Sequence, residues 1–211
     1  MTRQATLDAG LRALADRDAD IAASLQEAGM PEVRVLEPGF PALIRIIVGQ
    51  QVSTASAAAI LARLTDAGGL DPTRFLAMDD AALGAVGFSR AKMRYGRALA
   101  QRILDGSLDL ERLSAGDPEG AHATLTTVPG IGRWTAEIYR MFALGDPDVF
   151  PSGDVALREG IRMVRRLPER PDVAGADAVS LSWSPYRSAA AHLIWRLYRV
   201  RRGVAVLGTE G

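Results

Sequence analysis

Apolar residues recur at steps of three and four along nearly the whole chain, and no run alternates with the two-residue period of a half-buried strand over a useful length. The pattern predicts an all-α fold. Residues 6–28 place Leu7, Leu11, Leu14, Ile21 and Leu25 on one helical face, and Gly29 and Pro31 end the segment. A second helix is expected after Pro41, burying Leu43, Ile46 and Ile47, and an alanine-rich one over 54–65, before Gly68-Gly69. Short helices are expected over 72–78 and 79–86. Ser89 is a suitable N-cap for a basic helix running to Leu104, with Gly106 beyond it. In the second half the pattern predicts helices over 118–126 and 133–144 around a tight turn at 128–132. A turn-rich stretch over 145–153 follows, then a helix to Arg166 capped by Asp154, and helices over 176–182 and 187–201. The tail 203–211 has few anchors and is expected to be loose.

Composition narrows the chemistry. A length of 211 residues with 48% hydrophobic content supports one good core or two small ones. Cysteine is absent, which excludes disulfides, thiolate zinc sites and a cysteine-held iron–sulfur cluster. With only His122 and His192, a histidine metal site is not expected. The longest apolar runs, such as 42–49, fall far short of the roughly 20 residues that cross a bilayer, and no signal-peptide apolar region opens the chain. A soluble, cytoplasmic, nucleoid-associated protein without membrane contact is the expectation, and a monomer.

Formal net charge is zero, yet its distribution is uneven. Residues 1–39 hold seven acids against four arginines, and residues 155–202 hold ten arginines against four acids. Between Val86 and Arg102 lie Arg90, Lys92, Arg94, Arg97 and Arg102 with no acid. Either a basic face exists within a neutral molecule, or these are solvated helix faces. Lys92 is the single lysine beside 24 arginines, which restricts any Schiff-base nucleophile to that side chain or the terminal amine.

The segment Leu125-Thr-Thr-Val-Pro-Gly-Ile-Gly-Arg-Trp-Thr-Ala136 carries the most information. Two glycines two apart between helical stretches let the backbone turn sharply and leave amides unshielded by side chains. At the start of the following helix such amides suit a phosphate, although an ordinary helix-to-helix turn also favours Pro and Gly. Downstream, Val149-Phe-Pro-Ser-Gly-Asp154 forms a loop ending in aspartate, 22 positions after Gly132.

These linked motifs resemble the helix-hairpin-helix glycosylase superfamily, in which a Pro-Gly-hydrophobic-Gly-x-x-Thr-Ala hairpin precedes a loop and a catalytic aspartate. Within it the chain is most similar to the 3-methyladenine DNA glycosylase II family. Supporting segments are Ile46-Ile-Val-Gly-Gln-Gln-Val-Ser53, Gly87-Phe-Ser-Arg-Ala-Lys-Met-Arg94 and Trp183-Ser-Pro-Tyr-Arg-Ser-Ala189 with Trp195 beyond. The resemblance implies a single glycosylase unit over 1–211. In it a central helical subdomain over 45–135 and a second subdomain built from 1–44 and 136–211 flank an active-site cleft.

The implied partner is double-stranded DNA carrying alkylated bases, and the implied catalytic carboxylate is Asp154. Breaking an N-glycosidic bond builds positive charge on the sugar, and a fixed carboxylate stabilises that charge or orients the attacking water. Asp154 is also a preferred helix cap, and the two roles are compatible. An alkylated purine is cationic and leaves readily, so its pocket needs electron-rich aromatic faces more than a strong general acid. By resemblance Trp134 and Trp195 line that pocket; core packing is their ordinary alternative. Ile138 stands where a family member has a tyrosine, a departure that bears on base preference. Members that also cleave the strand carry a lysine where this chain has Trp134, so a monofunctional enzyme is implied.

Extruding a base leaves a gap to be filled, and the Gln50-Gln51-Val52-Ser53 turn matches the family's wedge loop, with Gln51 as the inserted side chain or, in the plainer reading, a solvent-facing amide. By the same resemblance Gln50, Gly130, Gly132 and Thr135 contact DNA. The carbonyls of Thr126, Val128 and Ile131 ligate a structural Na+ or K+, and no other cofactor is required. Two rivals stand beside this reading: a mismatch or deaminated-base glycosylase, and a non-catalytic hairpin binder of damaged DNA.

Overall fold

A computed structural model describes residues 2–203, so the expected looseness beyond Gly203 falls outside the described residues. In chain order the helices are α1 (Arg3–Arg17), α2 (Ala19–Ala28), α3 (Phe40–Gly49), α4 (Thr54–Asp66), α5 (Pro72–Ala77), α6 (Asp80–Val86) and α7 (Arg90–Leu104). They continue as α8 (Leu110–Ala115), α9 (Pro118–Leu125), α10 (Arg133–Tyr139), α11 (Val155–Arg165), α12 (Val173–Ser180) and α13 (Arg187–Arg201). A π-helical turn, Arg140–Leu144, extends α10, and a 3-10 turn, Leu181–Trp183, follows α12. Among the described residues there is no strand, as the helical periodicity predicts. None of these helices is long and apolar enough to cross a membrane.

Aspartate punctuates the chain. Asp18, Asp71, Asp79, Asp109, Asp117, Asp154 and Asp172 each accept a first-turn backbone N–H of the helix they precede, satisfying donors that have no partner within the helix. One of these caps corrects the sequence reading. The helix expected over 6–28 is two helices, because Asp18 turns extended, accepts from the amides of Asp20 and Ile21, and donates its own N–H to the Leu14 carbonyl. The apolar spacing runs on through the break, so periodicity alone does not reveal it. Helix α8 is too short to show a period, the end of the helix expected over 133–144 is widened into π geometry, and the helix expected to begin at 176 begins at Val173.

The chain forms two compact units, Leu36–Leu144 and Met1–Val35 with Gly145–Gly211. These boundaries lie outside the expected 45–135. The reason is packing: α3 lies against α7 and α10, so it and the whole of α10 with its π turn join the hairpin's unit. In that unit Phe75 meets Phe40 and Phe88 edge-on at 5.7 and 5.6 Å, and Gly96 leaves room on α7 for the Phe75 ring.

In the other unit α13 packs against α1, α2 and α11, burying Leu11, Leu14, Ile161, Leu193 and Ile194. The approach of α11 to α13 depends on Gly160, where a Cβ would lie 2.2 Å from Ile194 Cγ2. This unit also resolves the charge asymmetry. Its 14 arginines face 14 acids in the sequence, and Arg165 pairs with Asp18 and Asp20, Arg166 with Asp20, Arg201 with Glu27, Arg162 with Glu159 and Arg187 with Asp148. Arg165, Arg166 and Arg201 are therefore matched by acids of the N-terminal segment, and Arg162 and Arg187 by acids nearer to them in sequence, which reduces the arginine excess over 155–202.

Candidate functional site

The hairpin is built where α9 runs out. The amide of Val128 donates to the Leu125 carbonyl and that of Ile131 to the Val128 carbonyl, both at 3.0 Å, which tightens the turn. Gly130 sits at φ +86°, and a Cβ there would fall 2.1 Å from Cγ of Tyr95 on α7. Left-handed backbone and the packed ring each require glycine. Gly132 is different: its φ is −87°, and a Cβ would meet nothing within 4 Å. The fold does not demand glycine at 132, but bareness there leaves the start of α10 approachable, and Gly132 supplies no side-chain cap to that helix.

Below the hairpin α10 carries Trp134, half-buried, and Ile138, 6% exposed, four residues apart and so on one helix face. The carbonyls expected to hold a monovalent cation suit a hard ion chemically. That of Val128 already accepts the Ile131 amide and has a second lone pair left, while Arg102 donates to the intervening Thr127 carbonyl at 3.0 Å and to its hydroxyl at 2.9 Å. Among the described residues no group of three or more His, Cys, Asp or Glu side chains is placed to hold a metal.

Gln50 caps the end of α3, and its side chain turns to the hairpin rather than outward. Its carboxamide N–H2 donates to the Gly130 carbonyl at 3.1 Å and to the Thr135 hydroxyl at 2.9 Å. Thr135 is 2% exposed. These two side chains, both expected to contact DNA, bond to each other within the unit. Gln51 next door is exposed, at φ +56°, a left-handed conformation uncommon outside glycine, and Val52 beside it is exposed as well. Lys92 on α7 donates from Nζ to the carbonyls of Val48 and Gln50, both at 2.7 Å, and partial burial lowers its pKa below the ordinary 10.5.

The carboxylate belongs to the other unit. Asp154 begins α11 after the tight loop Phe150–Gly153, in which Ser152 and Asp154 donate their amides to the carbonyls of Phe150 and Pro151 at 2.8 Å. Its Oδ1 accepts the Leu157 amide at 3.0 Å and the indole N–H of Trp195 at 3.3 Å. Asp154 is therefore both a cap and a carboxylate held by an aromatic side chain, and it is partly exposed. Helix α11, which opens with Asp154, packs on α13, which carries Trp195, with Gly160 against Ile194 next to it. One turn before Trp195, the buried His192 meets that indole edge-on at 6.3 Å and donates from Nδ1 to the Ser188 carbonyl at 2.8 Å, since a carbonyl can only accept. Burial lowers the His192 pKa, against the raising effect of that hydrogen bond, and favours the neutral ring.

The expected site residues thus fall into two groups, each built within one unit: Gln50, Gln51, Gly130, Gly132, Trp134, Thr135 and Ile138 in the first, Asp154 and Trp195 in the second. Sequence reasoning missed the parts played by Lys92, Tyr95 and Arg102. The isolation of one lysine among arginines was a signal for the first; nothing in the sequence points from Tyr95 to Gly130.

Residues 44–184 match the model of the HhH-GPD superfamily base excision DNA repair proteins. The DNA-3-methyladenine glycosylase 1 of Schizosaccharomyces pombe is 33% identical over 165 residues, 74% of this chain and 71% of that protein. A Mycobacterium tuberculosis protein named as a probable bifunctional transcriptional activator/DNA repair enzyme is 31% identical over 90% of this chain, which spans only 42% of it. The solved structure of the S. pombe 3-methyladenine DNA glycosylase in complex with abasic DNA superimposes with a TM-score of 0.83 at 28% identity, over 92% of this chain and 96% of the other. With a hairpin of the family's pattern, an aspartate that opens a helix beyond it and a family match across two thirds of its length, the chain belongs to the HhH-GPD superfamily of base excision DNA repair proteins.

Proposed function

We propose that the protein is a monofunctional DNA glycosylase that extrudes alkylated bases from duplex DNA and hydrolyses their N-glycosidic bond, leaving an abasic site. The observation that carries this reading is the Asp154 carboxylate, whose Oδ1 is held by a backbone amide and the Trp195 indole. A carboxylate fixed in this way keeps its charge directed without reorganising as the sugar becomes cationic. The names of the relatives and the abasic DNA bound to the S. pombe enzyme support the substrate class.

In this reading the hairpin around Gly130 and Gly132 holds the DNA backbone, Gln51 fills the gap left by the lesion, and the aromatic faces of Trp134 in one unit and of Trp195 in the other are each suited to a cationic base. Ile138 in place of a tyrosine makes the surroundings of Trp134 on α10 less aromatic. A monovalent cation held by the Thr126, Val128 and Ile131 carbonyls would supply positive charge beside the phosphate. Absence of strand cleavage is supported by two facts: Trp134 occupies the position where a Schiff-base lysine would stand, and the single lysine, Lys92, donates to two carbonyls.

The test is a release assay on duplexes carrying 3-methyladenine, 7-methylguanine, 1-methyladenine, hypoxanthine or uracil, with borohydride added in parallel. Release of the alkylated bases, an intact strand and no trapped adduct are expected. Faster release of uracil or hypoxanthine would instead support a deaminated-base enzyme, and a covalent adduct would contradict monofunctional chemistry.

A further inference from the structure

The turn that carries Gln51 is gripped from two sides. At the end of α3 the carbonyls of Val48 and Gln50 lack helical partners, and helix C-termini favour a cation; Lys92 Nζ reaches both from α7. From the same residue, the Gln50 carboxamide bonds the Gly130 carbonyl and the Thr135 hydroxyl of the hairpin. Gln51 follows at once, exposed and at positive φ, a conformation that costs energy unless its neighbours impose it. The chain uses arginine at 24 of its 25 cationic positions and lysine only here, where a compact ammonium lies 2.7 Å from two carbonyls.

From these bonds we infer that Lys92 and Gln50 are positioning residues for base extrusion: together they lock the Gln51 turn to the hairpin, so that engagement of the DNA backbone and insertion of the wedge occur as one rigid element. Neither side chain needs to touch DNA. Lys92 acts through the carbonyls that precede Gln51, and Gln50 through its two bonds to the hairpin. The inference rests on the proposed role of Gln51 as the wedge, and deepens it by naming what holds the backbone at that residue in an otherwise unfavourable conformation.

The experiment is a double-mutant cycle read by a signal that needs no chemistry. A duplex carries an uncleavable abasic-site analogue with 2-aminopurine opposite it, so that insertion of the wedge unstacks the 2-aminopurine and raises its fluorescence. Wild type, Gln51→Ala, Lys92→Met and Gln51→Ala/Lys92→Met are compared at saturating protein. Expected is a several-fold loss of the rise in each single variant, no further loss in the double variant, and partial recovery in Lys92→Arg, which keeps N–H donors. A buttress acting only through general structure would lower the signal equally in the presence and absence of Gln51, and that result overturns the inference, as does an undiminished rise in Lys92→Met. If Lys92→Met does not melt cooperatively, the same cycle with Gln50→Met carries the test, since it removes two donors and no core residue. Failure of the wild type to release any alkylated base would defeat the glycosylase reading while leaving this fluorescence measurement to decide the positioning role.

Discussion

Gly130 and Gly132 share one motif yet answer to different constraints. At Gly130 the left-handed backbone and the Tyr95 ring both exclude a side chain, so Gly130→Ala is expected to destabilise the protein by about 1–3 kcal/mol or more. Gly132→Ala meets no neighbouring atom at an ordinary φ and should shift stability by less than about 1 kcal/mol, while weakening duplex binding because the new methyl stands where a phosphate would approach. Melting curves and a binding titration on both variants check the pair; equal loss of stability would contradict the distinction. The motif itself was legible in the sequence, as were the capping role of Asp154 and the exposure of Gln51. The inward turn of Gln50 and Thr135 was not, because a polar side chain's choice between solvent and a neighbouring segment depends on tertiary proximity: Gln50 and Thr135 lie 85 positions apart.

At the scale of elements, helix existence followed from periodicity and caps: α4, α7 and α13 match their expected spans closely, while α3 begins at Phe40 rather than after Pro41. The break at Asp18, which the periodicity runs through, shows where that method stops. Asp18 is more than a cap, since it also accepts from Arg165 and from the Trp183 indole, joining α2, α11 and the turn after α12. Burial by itself would raise its pKa, but the hydrogen bonds from Arg165, Trp183 and the Ile21 amide, with the charge of Arg165, outweigh it and hold the carboxyl below its ordinary 3.8. A folded-state pKa below the unfolded one contributes stability that is present above the unfolded value and is lost as pH falls through the folded one. Asp148, lowered by Arg187 and Ser184 against its own burial, acts in the same sense. His192 adds an earlier stage: its pKa is pushed below 6.5 by burial, the unfolded chain takes up the proton first, and stability declines as pH drops below 6.5. The melting temperature should therefore fall in two stages, beginning below about 6.5 and steepening below about 4. Asp18→Asn should remove part of the second stage only; an unchanged profile in that variant would show that the Arg165 pair contributes nothing.

For the whole molecule, part of the local charge excess that the sequence displays is offset in the folded chain, where Arg165, Arg166 and Arg201 pair with acids of the N-terminal segment. Each unit is formally neutral, 14 arginines against 14 acids in one and 11 cations against 11 acids in the other. Duplex binding is then expected to fall roughly 10- to 100-fold between about 50 and 200 mM salt, the response of about two to four neutralised phosphates, rather than the 10³- to 10⁵-fold of a strongly basic binder. A larger loss would mean that the paired arginines leave their acids for DNA. The central claim is that Asp154 performs the chemistry and does not merely shape the protein, and Asp154→Asn separates the two, because asparagine caps a helix as well as aspartate and can still accept from Leu157 and Trp195. Single-turnover release of 7-methylguanine should drop by about 10²- to 10⁴-fold in this variant, with the melting temperature and affinity for an abasic-site analogue retained. Release at the wild-type rate would contradict the account.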